Sequence, residues 1–261
     1  MSKLSDNPRD YYLPPERLQQ LTRLMIDVHI VLEEAGFQYW IDGGTLLAAV
    51  RHRAIPLPWD DDADIAMPVR WYKKLRKLYP RFSERGYLID EKHIDQMIKV
   101  YLPVPGLWNK KKSVGAPTLD IFPFKESDDE WRITPQGSLR RWPACRHKTT
   151  DLFPLRLYQV NGFKVWGPKN PMPYLYNMYP TWDTEFVIEL RDMDPNDSSK
   201  TSKTRLHRIP ISKVITLKSN DRPTIDNTTS SSGVTRSGES SPQNDTSPKP
   251  LHWLWFCPWP K

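Results

Sequence analysis

The 261-residue sequence predicts an α+β (mixed α/β) fold that is followed by a disordered tail. Three observations support this class: an amphipathic helical pattern opens the chain, short alternating or β-branched runs follow it, and the composition turns to Ser, Thr, Asn and Pro after the last run. The predicted segments are 1–36, an amphipathic helix packed on the core; 37–194, the folded domain; 195–250, a disordered tail; and 251–261, an aromatic segment of unknown role.

The first helix is predicted after Pro14 and Pro15, where apolar residues recur every three or four positions until Gly36. A second helix is expected to start after Gly43 and Gly44, to bury its leucines and to end near 51–53. Two further helices are predicted, a basic and aromatic one over 69–79 and a short one within 167–179.

Strands are predicted where runs are β-branched, aromatic or alternating, and a hairpin is predicted where Asn161 and Gly162 join two such runs as a type I′ turn. The predicted strands are 37–41, the stretch that begins at 62, 87–89, 97–102, 118–124 and the two arms within 156–166.

The charge of the chain argues against a nucleic-acid partner. The net charge is +7, but residues 195–261 contain 10 basic and 5 acidic residues, which leaves 28 basic and 26 acidic residues in 1–194. The excess basicity therefore belongs mostly to the tail. Two cysteines, Cys145 and Cys257, exclude a disulfide framework and a zinc cluster, and both are predicted to be free thiols.

No membrane segment is predicted, because no apolar run approaches the roughly 18 residues that a spanning helix needs. The start of the chain, MSKLSDNPRD, is too polar for a secretory signal. The sequence as given therefore predicts a cytoplasmic protein, and a longer natural N-terminus would make the Golgi lumen or membrane the alternative.

A run of aspartates, Asp60, Asp61, Asp62 and Asp64, is the main candidate for chemistry. In a strand, side chains alternate between faces, so Asp62 and Asp64 point the same way. Paired carboxylates with an apolar back suit Mg²⁺, with Mn²⁺ as its substitute. Asp120 is a third candidate ligand, because a carboxylate inside an apolar strand is costly to bury unless it is paired or bound to metal.

Gly43, Gly44 and Thr45 stand between a predicted strand and a predicted helix. This geometry can direct backbone N–H groups and a helix N-terminus at an anion. A glycine pair alone is a weak signal, because most such pairs only mark turns.

Together these pieces resemble a known family. The quoted segments are YWIDGGTLLAAVRHRAIPLPWDDDADI, then TLDIFPF, then FPLRLYQVNGFKVWGPKNPMPYLYNMYPTWD. Over roughly residues 37–183 they are similar to the LicD/fukutin family of the nucleotidyltransferase superfamily, which also includes DNA polymerase beta. The resemblance implies a nucleotidyltransferase-like core, with a small mixed sheet flanked by helices.

The resemblance also implies an activity: Mg²⁺-dependent transfer of phosphocholine, ribitol phosphate or a similar group from a CDP-linked donor to a glycan hydroxyl. Site roles follow by position. The catalytic and metal-binding acids would be Asp62, Asp64 and Asp120. The donor phosphates would be lined by Gly43, Gly44 and Thr45, with Arg51 near them. Asp60 and Asp61 would lie in the turn before the strand, where substitution by Ala should hurt less.

Two other readings stay open. A DxD sugar-nucleotide glycosyltransferase also holds a metal and a diphosphate, but the Gly-Gly-Thr turn before the acids favours the nucleotidyltransferase fold. A catalytically silent binding or scaffold protein is opposed by the three retained carboxylates, because a costly acidic cluster needs a reason.

Overall fold

The structure is a computed structural model that describes residues 4–91, 97–103, 117–134, 136–190 and 205–213. The helices are α1 (Pro15–Glu34), α2 (Gly43–His52), α3 (Val69–Tyr72), α4 (Tyr79–Ser83), α5 (Gln136–Arg141), α6 (Thr149–Leu152) and α7 (Met172–Met178). The strands are β1 (Trp40–Ile41), β2 (Asp62–Pro68), β3 (Leu88–Asp90), β4 (Ile98–Tyr101), β5 (Thr118–Ser127), β6 (Glu130–Ile133), β7 (Arg146–Lys148), β8 (Arg156–Val160), β9 (Phe163–Gly167), β10 (Glu185–Leu190) and β11 (Arg205–Pro210).

Seven of these strands form one mixed sheet in the order β1-β2-β5-β4-β3, with β6 paired to β5 and β7 paired to β6. Strands β2 and β5 are parallel, and the other neighbours in this sheet are antiparallel. The remaining strands form two hairpin-like pairs, β8 with β9 and β10 with β11. The mixed sheet flanked by helices confirms the predicted fold class.

The core lies around β2 and β5, whose apolar residues are buried, among them Ile65 and Ile121. Helix α1 contributes a buried face to the same core, which includes Leu24 and Val28. Trp40 of β1 is also fully buried, with Phe124 meeting its ring edge-on. In the structure the first helix packs on the core through this face.

The hairpin prediction is also confirmed. Asn161 and Gly162 both have positive φ, 44° and 83°, as a type I′ turn requires. Strands β8 and β9 pair antiparallel on either side of this turn.

The single helix predicted over 69–79 is wrong. The segment forms the short α3 and then a 3-10 turn over Leu75–Leu78, after which α4 begins. Its buried residues, Tyr72, Leu75 and Leu78, recur every three positions, which fits the three residues per turn of a 3-10 helix better than the 3.6 of an α-helix.

The prediction that 195–250 is disordered is wrong for Arg205–Pro210, which form β11 against β10. Ile209 of this strand is fully buried. The strand is short and lies in a Ser- and Thr-rich background, so average composition hides it. The rest of 195–250, apart from 211–213, lies outside the described residues, as do Cys257 and 251–261.

Candidate active site

The N-terminus of α2 is bonded directly to the acidic strand β2. The backbone N–H of Gly44 donates to Asp64 Oδ2 at 3.0 Å. In return, the backbone N–H of Asp64 donates to Thr45 Oγ1 at 2.6 Å. The N–H of Asp42, just before the helix, donates to the carbonyl oxygen of Asp64 at 3.2 Å. These three bonds fix Asp64 at the positive end of the helix dipole.

Glycine is needed at position 43, and space is tight at position 44, because the carboxylates stand so close. A Cβ added to Gly43 would lie 2.5 Å from Asp64 Oδ2, and the φ of +52° at Gly43 already disfavours other residues. A Cβ added to Gly44 would lie 3.0 Å from Asp60 Oδ2. A side chain at position 43 would therefore displace the Asp64 carboxylate, and one at position 44 would press on that of Asp60.

Strand register brings Asp120 to the same place. Asp64 of β2 is paired with Asp120 of β5 in the parallel ladder, and Asp62 is paired two residues earlier with Thr118. Paired residues of neighbouring strands point to the same face of a sheet. The structure thus brings together the three acids that the sequence singled out, Asp62, Asp64 and Asp120.

The electrostatics of Asp64 reflect this crowding. Burial raises the pKa of the Asp64 carboxyl well above its usual range. Neighbouring negative charges raise this pKa further, in decreasing order those of Asp62, Asp120, Asp60 and Asp42. Neighbouring ionised carboxylates repel one another, so this end of the sheet favours a bound cation.

Asp60 and Asp61 lie closer to the site than the sequence suggested. One carboxylate oxygen from each of Asp60, Asp61 and Asp62 can be chosen so that all lie within 4.8 Å of one another. These three oxygens are hard donors of the type that Mg²⁺ prefers, and Asp64 and Asp120 lie outside this group of three. The residues present therefore fit a divalent cation, and the metal roles of individual aspartates stay predictions.

Arg51, which the resemblance places near the donor phosphates, lies eight residues beyond Gly43 at the other end of α2. At 1.5 Å per residue this separation is about 12 Å along the helix axis. The guanidinium donates to the carbonyl oxygens of Trp182, at 2.8 Å, and Glu185, at 3.2 Å. It also lies 5.0 Å from the centroid of the Phe186 ring. The structure does not bring Arg51 to the glycine turn.

Burial shifts the pKa values of Arg51 and of its neighbour His52. It lowers the pKa of Arg51 to about 10, and burial followed by the nearby guanidinium charge lowers the pKa of His52 to about 3. The neutral His52 ring accepts a hydrogen bond from Arg51 Nε at 3.0 Å. Arg51 is thus held by carbonyls, a neutral ring and aromatic faces.

Sequence reasoning missed a buried group behind the turn. The hydroxyl of Tyr174 on α7 accepts the N–H of Gly43 at 3.2 Å. Its ring stacks on His147 with centroids 4.1 Å apart. His147 Nε2 lies 2.8 Å from Asp42 Oδ1, and both side chains are buried. More than 100 positions separate His147 from Asp42 and Tyr174 from Gly43, so no local sequence pattern could indicate these contacts.

Cys145 and Tyr179 border the same group. Cys145 Sγ lies 3.4 Å from Asp42 Oδ2, and burial followed by that charge raises the pKa of the thiol. Burial also raises the pKa of Tyr179, to which the charges of Asp64 and Asp42 add. The only sequence signal was the tyrosine-rich stretch of 174–179, read there as a short helix.

A mixed sheet in which adjacent parallel strands carry acids beside a Gly-Gly turn and a helix N-terminus defines a nucleotidyltransferase-type domain. The sequence model of one family, described as "LicD/FKTN/FKRP, nucleotidyltransferase domain", matches residues 36–170. The chain belongs to this family.

Three relatives show how the similarity is distributed. An uncharacterised protein of Rickettsia prowazekii is 29% identical over 186 residues, which are 71% of this chain and 64% of that protein. The ribitol 5-phosphate transferase FKRP of Homo sapiens is 38% identical over 81 residues, 31% of this chain and 16% of that protein. The lipopolysaccharide cholinephosphotransferase LicD of Haemophilus influenzae is 26% identical over 125 residues, 45% of this chain and 47% of that protein. The chain covers less than two thirds of the length of each.

Within the described residues, no helix combines the length and the apolar character that crossing a bilayer requires.

Proposed function

We propose that the chain is a Mg²⁺-dependent transferase that moves a phosphorylated small group from a CDP-linked donor to a glycan hydroxyl. Membership of the LicD/FKTN/FKRP family supports the reaction class. The named relatives move different groups, ribitol 5-phosphate in one case and cholinephosphate in the other. The group moved here is therefore of that kind, phosphocholine, ribitol phosphate or a close analogue.

The observation that carries this proposal is the register of β2 and β5, which sets Asp64 beside Asp120 at the N-terminus of α2. A cation held there would neutralise the charge of the donor diphosphate and lower the pKa of the acceptor hydroxyl. Phosphoryl transfer depends mainly on positioning and charge neutralisation, so fixed carboxylates are the contribution that the protein must make.

The chain's own residues divide this work. Asp62 and Asp64 would hold the cation from one face of β2, and Asp120 would complete the set from β5. Thr45 fixes the backbone of Asp64. Gly44 orients its carboxylate.

The glycine turn keeps its second role, lining the donor phosphates, as a prediction. In the structure the N–H of Gly43 is donated to Tyr174 and that of Gly44 to Asp64. The turn therefore binds groups of the protein itself. It leaves room for the carboxylate of Asp64, which a larger residue at position 43 would displace.

A donor screen tests the proposal. Purified protein with Mg²⁺ is incubated with CDP-choline, CDP-ribitol, CDP-glycerol or CDP-ethanolamine and with candidate glycan acceptors, and CMP release is measured. We expect one donor to release CMP and the acceptor to gain the mass of the phosphorylated group. EDTA should stop the reaction.

Two matched variants sharpen the screen. Asp64→Asn should lower CMP release about 10³-fold, whereas Asp61→Asn, in the same acidic run, should lower it less. Transfer of a sugar without phosphorus would refute the proposal, as would turnover that survives Asp62→Asn or Asp64→Asn.

A further inference from the structure

Lys99 forms a close ion pair with the third candidate ligand. Strands β4 and β5 are antiparallel, and their register sets Lys99 opposite Asp120. The ammonium Nζ lies 2.7 Å from Asp120 Oδ1 and 2.5 Å from Oδ2. The Lys99 side chain is 22% exposed and that of Asp120 is 6% exposed. The pair thus lies at the inner edge of the acidic site.

This pairing matters because a carboxylate in an apolar strand needs a counter-charge. Lys99 supplies that charge when no cation is present. An ammonium that contacts both carboxylate oxygens occupies about two of the four lone-pair sites through which Asp120 could bind a metal, and its positive charge also opposes a divalent cation nearby. Lys99 and the cation therefore compete for Asp120.

A lysine is better suited than an arginine to leave Asp120 when a cation binds. A lysine ammonium is a compact charge on a flexible stem, whereas an arginine in the same place would bind a carboxylate through two parallel bonds in a rigid fork. The partial exposure of Lys99 gives its stem room to leave. The carboxylate is anchored in β5 and stays.

We propose that Lys99 is a displaceable counter-ion, a positioning residue that holds Asp120 until a divalent cation replaces it and that then places its ammonium on the donor diphosphate. This inference rests on the proposed function. It assigns to β4 a residue that acts on both the metal ligand and the donor.

Residue-resolved acetylation of lysine tests the exchange without turnover. The full chain is treated with a water-soluble acetylating reagent in EDTA, in Mg²⁺, and in Mg²⁺ with CDP, and peptides are quantified by mass spectrometry. With Mg²⁺, the modification rate of Lys99 should rise about tenfold, as expected from the loss of a charge-assisted hydrogen bond. CDP should then protect Lys99 again. Lys125, an exposed lysine on β5, the strand that carries Asp120, is the internal control and should not change.

Variants separate exchange from simple charge repulsion. Mn²⁺ affinity, measured by electron paramagnetic resonance without donor, should be highest for Lys99→Met, intermediate for wild type and lowest for Lys99→Arg, because the arginine fork holds Asp120 more firmly. Repulsion alone would make Lys99→Arg equal to wild type, since the charge is the same. Lys125→Met is the control for loss of a charge on β5, and it should bind Mn²⁺ as wild type does.

The outcomes distinguish this inference from the proposed function. If wild type binds Mn²⁺ but Mg²⁺ leaves the acetylation of Lys99 unchanged, the exchange is refuted and the transferase proposal stands. If wild type binds no Mn²⁺, both fail.

Discussion

The two ends of α2 differ in role: the N-terminus lies at the candidate active site, and the C-terminus packs within the fold. At its N-terminus, Gly43 and Gly44 lie against carboxylates, and burial, followed by the repulsion between these carboxylates, raises the pKa of Asp64. At its C-terminus, the guanidinium of Arg51 is bonded to two carbonyl oxygens and packed on an aromatic ring. Both arrangements follow the helix dipole, with negative charge at the N-terminus and positive charge at the C-terminus.

The two ends of α2 differ in how well the protein itself compensates the charged groups found there. The Arg51 guanidinium has hydrogen-bond partners in the protein, so this end stabilises the fold through those bonds, although the burial that lowers its pKa offsets part of their contribution. The carboxylates at the other end repel one another, and a bound cation would relieve that repulsion. We infer that substitutions at the N-terminus change activity most, and substitutions at the C-terminus change stability most.

The largest expected effect is that of Asp64→Asn. Turnover should fall about 10³-fold, since loss of a metal ligand removes several kcal/mol of charge stabilisation in the transition state. The same change should stabilise the cation-free chain: a raised carboxyl pKa means that ionisation opposes folding above the ordinary pKa of the group. Thermal unfolding in EDTA should therefore show a higher Tm for Asp64→Asn at neutral pH, an advantage that fades at acid pH.

Two comparisons check this result. Asp129→Asn removes an exposed carboxylate outside the site and should change neither turnover nor Tm. Mg²⁺ should raise the Tm of wild type and leave that of Asp64→Asn unchanged. A lower Tm for Asp64→Asn in EDTA would show that the carboxylates do not oppose folding.

Gly43→Ala should have the next largest effect. Its Cβ would stand 2.5 Å from Asp64 Oδ2, so the carboxylate must move by about 1 Å, a displacement that can cost about 100-fold in rate. Gly36→Ala is the matched control, because Gly36 also has a positive φ, +69°, but an added Cβ meets nothing within 4 Å. Both variants carry backbone strain, and only Gly43→Ala should lose turnover and Mn²⁺ affinity. Equal turnover in the two would remove the steric argument for the turn.

Arg51→Met tests the other end of the helix. Loss of two charge-assisted bonds to carbonyl oxygens should destabilise the fold by about 3 kcal/mol. This corresponds to a decrease in Tm of roughly 10 °C. The KM for the donor should stay near that of wild type below the unfolding range.

Arg70→Met is the control, because Arg70 is an exposed arginine whose guanidinium bonds only to the side chain of Gln38 among the contacts described. If Arg51→Met instead raised the donor KM strongly and left the Tm intact, Arg51 would line the donor phosphates as the resemblance implies.

The smallest effect is expected for Tyr174→Phe, which removes the acceptor of the Gly43 N–H and keeps the ring stacked on His147. The unpaired N–H should cost about 1 kcal/mol. Tyr176→Phe removes a hydroxyl from the same helix that bonds to Asp183 at the surface, and it should cost less. Urea unfolding of the two variants measures the difference, and equal losses would argue against a role for Tyr174 at the turn.

Local patterns predicted much of the scaffold of this site. The alternation of Asp62 and Asp64 with apolar residues indicated a strand with two acids on one face, which β2 confirms. The lone acid in 118–124 indicated a buried carboxylate that needs a partner. Both inferences depend only on the period of a strand and on the cost of burying charge.

The partners of these acids could not be predicted in the same way. Lys99 meets Asp120 through the register of β4 on β5, and the sequence of either strand alone does not specify that register. His147 and Tyr174 reach Asp42 and Gly43 from more than 100 residues away. Long-range packing decides such contacts, and no periodic pattern encodes them.

The most direct test is to crystallise the chain with Mn²⁺ and to locate the ion by its anomalous scattering. Our account predicts an ion bound by carboxylate oxygens of Asp62 and Asp64, with Asp120 turned toward it and Lys99 moved away. An ion bound only by Asp60 and Asp61, or a fully soaked crystal with no ion beside Asp64, would contradict the account.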